Sequence, residues 1–392
     1  MLASGCRAPT PSAYPDICRR KQAVSRCHHG GEKRRYRLCG RPVVKAVVFA
    51  GEDRVEVDDV PEPSVVEPSD AVVRVTKTSI CGSDLHVLSG KTPGMRVGGV
   101  IGHEFVGIVS AVGAGVAAHR EGERVLGSFL IACGRCTNCR SRRFNFCSSR
   151  RALGLGALTG DLNGAQAEYV RIPDADVNLH GLDQDFHGLG DEDALFAGDI
   201  LGTGMYAAEL ARASTSMRVV VIGAGPVGIF CALAARYRGA DVFVLDNDTD
   251  RVRFAVDELG LDAATPDDAA EDAVAKFYGG ALADVVVEAV GVTDAFRSAM
   301  RCARDGGRIV VVGVYGAERY ALPMGMSWVR GLQIVFSGMG NVQAHWEDSL
   351  SAVANGDLDP TKLITHRLAL EDAPAGYELF RTRRALKVVL TP

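Results

Sequence analysis

The chain has 392 residues, of which 47% are hydrophobic and 23% charged, and its formal net charge is −4. This length is enough for two ordinary domains, and the composition is typical of a soluble globular protein. No apolar stretch approaches the ~20 residues that a membrane helix needs, and the net charge argues against non-specific binding to nucleic acid. We therefore expect neither nucleic acid nor a membrane among its partners.

The first 42 residues differ in character from the rest. Ten Lys/Arg and two Asp/Glu give residues 1–42 a net charge of +8, which leaves −12 for the remaining residues. This segment has many helix and strand breakers and little apolar periodicity, so it is predicted to be a disordered basic extension. It holds no apolar run of the kind a secretory signal needs, and cysteines elsewhere follow metal-ligand patterns. We therefore expect a reducing, cytoplasmic location.

The rest of the chain divides into regions by the style of its apolar runs. Residues 43–203 hold short β-rich runs such as 71–75, 107–112 and 167–170, which predict an all-β, barrel-like domain. Residues 204–340 alternate helical patterns with Val/Ile-rich strands at 218–222, 241–245, 284–288 and 308–312, which predict a parallel sheet covered on both faces. Residues 341–392 end in a strand-like run at 386–390 and are expected to return to the first domain. The predicted class is α/β.

A glycine-rich turn lies between the strand at 219–222 and the helical pattern at 229–235. Such a turn is the fingerprint of a dinucleotide site only in this strand-to-helix setting, which is present here. The first glycine permits the tight turn, the second lets the backbone approach a pyrophosphate, and the third allows close packing of helix and strand. The candidate cofactor-binding residues are Gly223, Ala224, Gly225, Pro226, Val227 and Gly228.

Asp246 ends the second strand of this region, eighteen residues beyond Gly228. A carboxylate there can accept hydrogen bonds from the ribose hydroxyls of NAD and would repel the 2′-phosphate of NADP, so NAD is the predicted cofactor. Arg251 is a further candidate cofactor-binding residue. Arg251 and Arg253 lie close enough to keep NADP as an alternative, and a flavin or an S-adenosyl group is a second alternative for the turn itself.

Four cysteines fall in one short segment with the spacing C-x2-C-x2-C-x7-C: Cys133, Cys136, Cys139 and Cys147. Four thiolates in one loop can surround a tetrahedral ion, and a closed shell of four cysteines is typical of structural zinc. An iron–sulfur cluster is the main alternative, but the ferredoxin run has three residues before its last Cys and a Pro after it. Neither feature occurs here.

Cys81 in the run CGSDLH and His103 in the run GHEFVG are predicted to lie in Gly-flanked turns after β-type runs. With GAQAEY, DILGTGMYAAELA, GAGPVG and LKVVLTP, these runs make residues 44–392 resemble the zinc-dependent medium-chain alcohol dehydrogenases. The resemblance implies a GroES-like catalytic domain, a Rossmann domain, one catalytic and one structural zinc, and hydride transfer between an alcohol or aldehyde and NAD.

The resemblance also implies the roles of single residues. Cys81 and His103 correspond to zinc ligands, and Asp199 corresponds to the third ligand, which is a Cys in the best-known members. Glu104 corresponds to a transient fourth ligand, and Asp84 to the carboxylate that orients His103. Ser83 would accept the alcohol proton, which the family passes through the cofactor ribose to a histidine at the place of His86.

Several alternatives remain at this stage. An enzyme of the same fold without a catalytic zinc, a dismutase-like enzyme that holds NAD tightly, and a zinc-ribbon protein that senses nucleotides would share parts of the pattern. The substrate is not specified by the sequence; candidate pocket residues are Phe129, Leu130, Met205 and Trp328. Similar proteins are homodimers or homotetramers, and we expect one of these states.

Overall fold

The structure is a computed structural model that describes residues 42–90, 94–266, 269–316 and 320–392. All but the last residue of the predicted disordered extension, 1–42, lies outside the described residues. No helix in the described ranges is long and apolar enough to cross a membrane.

The first half of the described chain is built mainly from short strands, as its apolar runs predict. The strands are β1 (Val43–Gly51), β2 (Arg54–Pro61), β3 (Ala71–Ile80), β4 (Glu104–Val112), β5 (Arg124–Gly127), β6 (Leu130–Ile131), β7 (Arg151–Ala152), β8 (Tyr169–Ile172) and β9 (Leu179–Gly181). β3, β4, β5 and β9 are antiparallel neighbours in one sheet, and β8 pairs with β3. β1 pairs with β2, and β6 with β7.

Short helices interrupt these strands, so the region is β-rich rather than all-β. They are α1 (Gly82–Leu88), α2 (Thr137–Arg140), α3 (Ala175–Asn178) and α4 (Asp191–Leu195). α1 begins where β3 ends, because Asp84 in its first turn accepts a hydrogen bond from the backbone N–H of Cys81. A carboxylate in the first turn is favourable, since it faces the unpaired N–H groups of the helix start.

The second half alternates helices and parallel strands. The elements are α5 (Ile200–Ala211), β10 (Arg218–Ile222), α6 (Pro226–Tyr237), β11 (Asp241–Leu245), α7 (Thr249–Asp257), β12 (Asp262–Ala264), α8 (Ala270–Phe277), β13 (Ala283–Glu288), α9 (Thr293–Cys302), β14 (Ala303–Val311), α10 (Met324–Val329) and β15 (Gln333–Phe336). The sheet order is β12-β11-β10-β13-β14-β15, and every pair is parallel. This is the order 3-2-1-4-5-6 of a Rossmann fold, with its switch point between β10 and β13.

The last segment of the chain returns to the first sheet. It consists of α11 (Trp346–Ala354), β16 (Ile364–Ala369), α12 (Ala373–Arg381) and β17 (Lys387–Thr391). β17 pairs antiparallel with the end of β3, so that Val388 lies opposite Ile80 and Val389 opposite Ser79. This pairing brings residues that are about three hundred positions apart in sequence to the strand end that carries Cys81.

One hydrophobic core joins the two sheets through α5. Buried residues of the first sheet, among them Val106 and Leu126, belong to the same cluster as Val219 and Val221 of β10. Most of α5 is buried within this cluster. Gly204 lets α5 approach α6 closely, because a Cβ at this position would lie 2.6 Å from the carbonyl oxygen of Phe230. The residue just before α5 is therefore held in a rigid setting.

Candidate active site

Three of the predicted metal ligands converge in a buried position. The ligand atoms of Cys81, His103 and Asp199 all lie within 4.8 Å of one another. Asp199 Oδ2 is 3.4 Å from the Sγ of Cys81 and 3.3 Å from Nε2 of His103. The structure thus brings a thiol, an imidazole and a carboxylate from three separate segments to one point.

Each of the three residues lies at the end of a regular element. Cys81 follows β3, His103 directly precedes β4, and Asp199 is the N-cap of α5. His103 therefore stands before a strand and not, as the sequence pattern suggested, after one. Gly102 shapes this turn with a φ of 85°, and a Cβ there would lie 2.3 Å from the side chain of Gln166. Only glycine meets both requirements.

Asp84 occupies the place behind His103 that the sequence predicted for it. Its Oδ1 lies 3.3 Å from Nδ1 of His103, while Nε2 points toward Asp199. Gln166 donates hydrogen bonds to Asp84 Oδ2 (3.2 Å) and to the carbonyl of Ser79 (3.1 Å), and it accepts one from Tyr377 (2.8 Å). This buried network fixes the ring of His103, as carboxylates behind metal-binding histidines do.

The electrostatics of the cluster favour a bound cation. Burial, Asp199 and Glu104 raise the pKa of the Cys81 thiol. Burial alone would lower the pKa of His103, but Asp84 and Asp199 outweigh it and raise this pKa well above its ordinary value. The two carboxylates favour the protonated, positively charged form of His103. A divalent cation bound at this place would supply the positive charge instead. The donor set of S, N and O and its spacing fit zinc, so the residues present suit this ion.

Glu104 forms a buried pair with Lys387, a residue that the sequence analysis did not single out. The Nζ of Lys387 lies 2.5 Å from Glu104 Oε2 and 2.7 Å from the carbonyl oxygen of Ile80. Ser79 also donates a hydrogen bond to Glu104. Burial raises the pKa of Glu104 to about 8, although Lys387 opposes this shift. Burial would lower the pKa of Lys387, but Glu104 reverses this and raises it.

The four cysteines of the second predicted metal site also converge, and we call residues 133–147 the four-Cys lobe. The sulfur atoms of Cys133, Cys136, Cys139 and Cys147 lie within 4.8 Å of one another. The sulfur atoms of Cys136 and Cys139 are 3.5 Å apart, which is far longer than a disulfide bond. In a tetrahedral zinc site with Zn–S bonds of ~2.3 Å, two sulfur atoms lie about 3.8 Å apart, close to this distance. Among the described residues no cysteine forms a disulfide. Backbone N–H groups of Cys139 and Ser148 lower the pKa of Cys136 to about 5.

The glycine-rich turn has the geometry that a pyrophosphate requires. Gly223 directly follows β10 with a φ of 106°, and a Cβ on Gly228 would lie 1.8 Å from the carbonyl oxygen of Gly223. Gly225 caps α6, whose first residue is Pro226, so free N–H groups of this helix point out of the turn. Ala224 and Val227 complete the turn, and Ala224 is buried.

Asp246 follows β11 and is anchored to the turn. It accepts hydrogen bonds from the backbone N–H groups of Ala224 (2.6 Å) and Asp248 (2.8 Å). Arg251 lies beside Gly225, since its Nη1 is 3.7 Å from where a Cβ on this glycine would be. Arg253 instead pairs with Asp250 at 2.7 Å on the surface. Of the two arginines, Arg251 alone lines the cavity described next.

A cavity of about 1260 Å³ connects the two halves of the site. One part of it is lined by the proposed metal ligands Cys81, His103 and Asp199, and another by Gly225 and Arg251 of the nucleotide half. The cavity is also lined by Ser83, His86 and Phe129. The expectations for Leu130, Met205 and Trp328 as pocket residues are wrong. Leu130 and Met205 are fully buried in the core, and Trp328 on α10 is 82% exposed. Glu104 is fully buried and does not line the cavity, whereas its partner Lys387 does.

We predict that Lys387→Met destabilises the fold in a pH-dependent manner. Folding raises the pKa of Glu104 to about 8, and removal of the lysine, which opposes this shift, raises the pKa further. A carboxyl group whose pKa is raised by folding lowers the free energy of unfolding only at pH values above its pKa in the unfolded chain. The extra loss should therefore be small near about pH 6 and grow above about pH 8, toward the ~3–5 kcal/mol of a broken buried pair. Denaturant unfolding at both pH values measures this. Lys276→Met, at an exposed lysine, serves as the control. An equal loss of unfolding free energy in Lys387→Met at both pH values would contradict the prediction.

Comparison with known proteins identifies both halves of the chain. Residues 67–180 match the alcohol dehydrogenase GroES-like domain family, and residues 226–355 match the zinc-binding dehydrogenase family. The chain is 32% identical over 391 aligned residues to the zinc-type alcohol dehydrogenase-like protein AdhB of Bacillus subtilis, covering 89% of this chain and 100% of that protein.

Solved structures agree. Alcohol dehydrogenase TADH from Thermus sp. ATN1 is 39% identical with a TM-score of 0.83, over 88% of this chain and 99% of that one. A zinc-binding dehydrogenase from Sinorhizobium meliloti 1021 bound to NADP is 28% identical with a TM-score of 0.77, over 90% and 100% of the two chains. These likenesses favour a dehydrogenase over a zinc-ribbon sensor or a dismutase. The chain therefore belongs to the zinc-dependent medium-chain alcohol dehydrogenases, and it is a zinc-dependent oxidoreductase with a GroES-like and a Rossmann domain.

Proposed function

We propose that the protein transfers a hydride between an alcohol or aldehyde and NAD, with one catalytic and one structural zinc in each chain. One observation carries this proposal: a single cavity joins the Cys81, His103 and Asp199 cluster to the glycine-rich turn before α6. A substrate oxygen at the cluster and a nicotinamide bound from the turn would share that space. We also propose the division into catalytic residues 43–203 and 341–392 and nucleotide-binding residues 204–340.

Zinc bound at the cluster would supply Lewis-acid activation of the substrate oxygen, and NAD would accept the hydride. The protein side of this chemistry is a shell of three ligands, two of them anionic, with room in the cavity for a substrate. Such an open shell is typical of catalytic zinc, whereas the closed shell of the four-Cys lobe is typical of structural zinc. Glu104, held by Lys387 next to the cluster, is available as a further ligand.

Ser83 and His86 are proposed to move the proton that alcohol oxidation releases. Ser83 Oγ lies 3.1 Å from Nε2 of His103, next to the metal ligands. His86 follows three residues later, so the two side chains lie on one side of α1, and both line the cavity. Ser83 can accept the proton from the substrate hydroxyl while its own hydroxyl proton moves on toward His86, and His86 can release a proton to water because histidine titrates near neutral pH.

Asp246 and Arg251 are proposed to bind the adenosine half of NAD. The two hydrogen bonds from backbone N–H groups hold the carboxylate of Asp246 at the carboxyl end of β11, where the ribose of a dinucleotide lies in this fold. A carboxylate in that place accepts hydrogen bonds from ribose hydroxyls and repels a 2′-phosphate. These contacts support NAD over NADP.

The proposal predicts NADH formation from NAD and at least one class of alcohol, sugar, polyol or aldehyde hydrate in a panel followed by absorbance. Cys81→Ala and Asp199→Asn should reduce turnover at least about a hundredfold, because Lewis-acid activation contributes several kcal/mol. Metal analysis should find one zinc ion fewer per chain in both variants. Cys231→Ala, at a buried cysteine outside both clusters, is the matched control. Full activity of Cys81→Ala would refute the proposed metal site.

Asp246→Ala should relax the preference for NAD over NADP, since it removes the charge that repels the 2′-phosphate. We expect the ratio of kcat/KM values for the two cofactors to fall by about tenfold or more, which corresponds to ~1.4 kcal/mol. Asp250→Ala changes an exposed carboxylate in the first turn of the neighbouring α7 and should leave the ratio unchanged. If the unmodified protein uses both cofactors equally, the role given to Asp246 is wrong.

We further propose that the protein is a homo-oligomer that uses α10 and β15. β15 ends the parallel sheet, and within the described ranges no other strand pairs with its outer edge. Trp328, Val329 and Met324 of α10 and Phe336 of β15 are large, apolar and mostly exposed. A second copy related by a twofold axis could pair its own β15 with this edge and cover the same residues.

Trp328→Glu should therefore shift the protein toward smaller species in sedimentation velocity. The charge would lie in the apolar contact, where its burial without a partner is costly. Leu158→Glu alters a comparably exposed apolar residue, 73% accessible, in the β-rich region and is expected to leave the oligomer intact. A monomeric unmodified protein would contradict the proposal.

A further inference from the structure

Asn145 is a buried polar residue of the four-Cys lobe that the proposed chemistry does not use. It lies between Cys139 and Cys147 and is 2% exposed. Its Nδ2 lies within hydrogen-bonding distance of the carbonyl oxygens of Met339 (3.0 Å) and Ser337 (3.4 Å) and of the hydroxyl of Tyr206 (3.2 Å). Asn145 thus contacts α5 and the segment after β15, both of which lie far from the lobe in sequence.

The segment that receives these hydrogen bonds forms part of the cavity, and we call Ser337–Gly340 the cavity wall. All four of its residues line the cavity, as does Asn145 itself. Met339 packs against the buried cluster of Phe129, Leu130 and Val342. The ring of Phe129 in turn lies 6.1 Å from that of His103. Packed side chains therefore connect the four-Cys lobe, through the cavity wall and Phe129, to the proposed catalytic ligands.

Two further contacts fix the ends of this arrangement. Asn341 accepts a hydrogen bond from the N–H of Phe144 (3.0 Å) and donates one to the carbonyl of Arg142 (2.9 Å), so the lobe holds the residue next to the cavity wall from both sides. Gly340 approaches α5 so closely that a Cβ would lie 2.2 Å from Oγ1 of Thr203. The cavity wall is held between the lobe and α5, and Asn145 is the side chain that bonds to its middle.

We propose that Asn145 is a positioning residue that fixes the cavity wall from within the four-Cys lobe and thereby limits the size of the alcohol that fits beside the metal ligands. This inference rests on the proposed function for its substrate. It gives the lobe a second role: besides stabilising its own loop, it shapes the part of the cavity that contains Met339.

The chemistry of the amide explains why asparagine suits this position. Its NH₂ group carries two hydrogens, which can serve the two carbonyl oxygens of Ser337 and Met339. An aspartate side chain would present an oxygen in the place of this nitrogen, so Asn145→Asp turns two attractive contacts into repulsive ones without a change of size. The buried carbonyls would lose their donor, and the wall would move to find another.

Asn138→Asp provides a matched control in the same lobe. Asn138 is also flanked by the metal-binding cysteines, but its Nδ2 donates to the carbonyl of Phe146 (2.6 Å), a contact inside the lobe. The two variants introduce the same charge at the same loop. Only Asn145→Asp alters the contact with the cavity wall. Metal analysis of both proteins would show whether the lobe keeps its zinc.

The test combines amide hydrogen exchange with kinetics on zinc-loaded full-length protein. We expect Asn145→Asp, and not Asn138→Asp, to speed exchange in peptides that cover residues 336–345. Across a series of straight-chain primary alcohols, Asn145→Asp should change the ratio of kcat/KM for long against short substrates by at least about tenfold, the effect of one methylene group in a fitted pocket. A residue that only stabilised the lobe would lower kcat/KM for all alcohols alike.

A double variant tests the route through Met339. If Asn145 acts through this side chain, Asn145→Asp should change the selectivity of Met339→Ala much less than that of the unmodified protein, because effects of coupled residues do not add. Unchanged exchange in residues 336–345, or unchanged selectivity in an active Asn145→Asp variant, would overturn the inference. If the unmodified protein oxidises no alcohol, the proposed function fails, and the exchange measurement alone decides whether Asn145 holds the wall.

Discussion

The cost of burying negative charge governs the architecture around the metal cluster. Cys81, Asp199, Asp84 and Glu104 are all buried within a small volume, and unpaired anions in such a place would each cost several kcal/mol. Two kinds of positive charge can offset this cost: an ion at the cluster and the ammonium group of Lys387. The topology meets this need, since β17 lies beside β3 and so brings Lys387 to Glu104.

The two halves of the proposed site would recognise their ligands by different means. The nucleotide half would present mainly backbone atoms to its ligand. The absence of side chains at Gly223 and Gly228 leaves room for it, and Asp246 adds one carboxylate that a backbone N–H group holds in place. The metal half uses side chains from three segments and needs a network of buried partners to orient them. Gln166 is central to that network, because its single amide bonds to Asp84, Ser79 and Tyr377. α5 connects the halves, since it begins at Asp199 and packs on α6.

Local patterns predicted most of the fold and most of the candidate ligands. The strand-to-helix turn and the four closely spaced cysteines are contained in short runs, and the structure brings their members together as expected. The sequence does not indicate the buried pair of Lys387, because this residue begins an apolar strand, where a charged residue usually marks an exposed end. The expectation that Trp328 lines the pocket is wrong because a large apolar residue in a short helix is equally compatible with a pocket, a core or an exposed contact surface. Partners distant in sequence, such as Asn145 and Met339, leave no local signal at all.

The pairing of Glu104 with Lys387 also orders events in time. During synthesis the ribosome completes β3, β4 and all the residues of the Rossmann sheet before it reaches Lys387. Until then Glu104 has no ammonium partner, and the strand end that carries Cys81 has no β17 beside it. The nascent metal cluster is therefore an electrostatically incomplete pocket, and its mature form arises only when the returning strand is inserted. The four cysteines of the lobe, in contrast, are contained in fifteen consecutive residues and can come together much earlier.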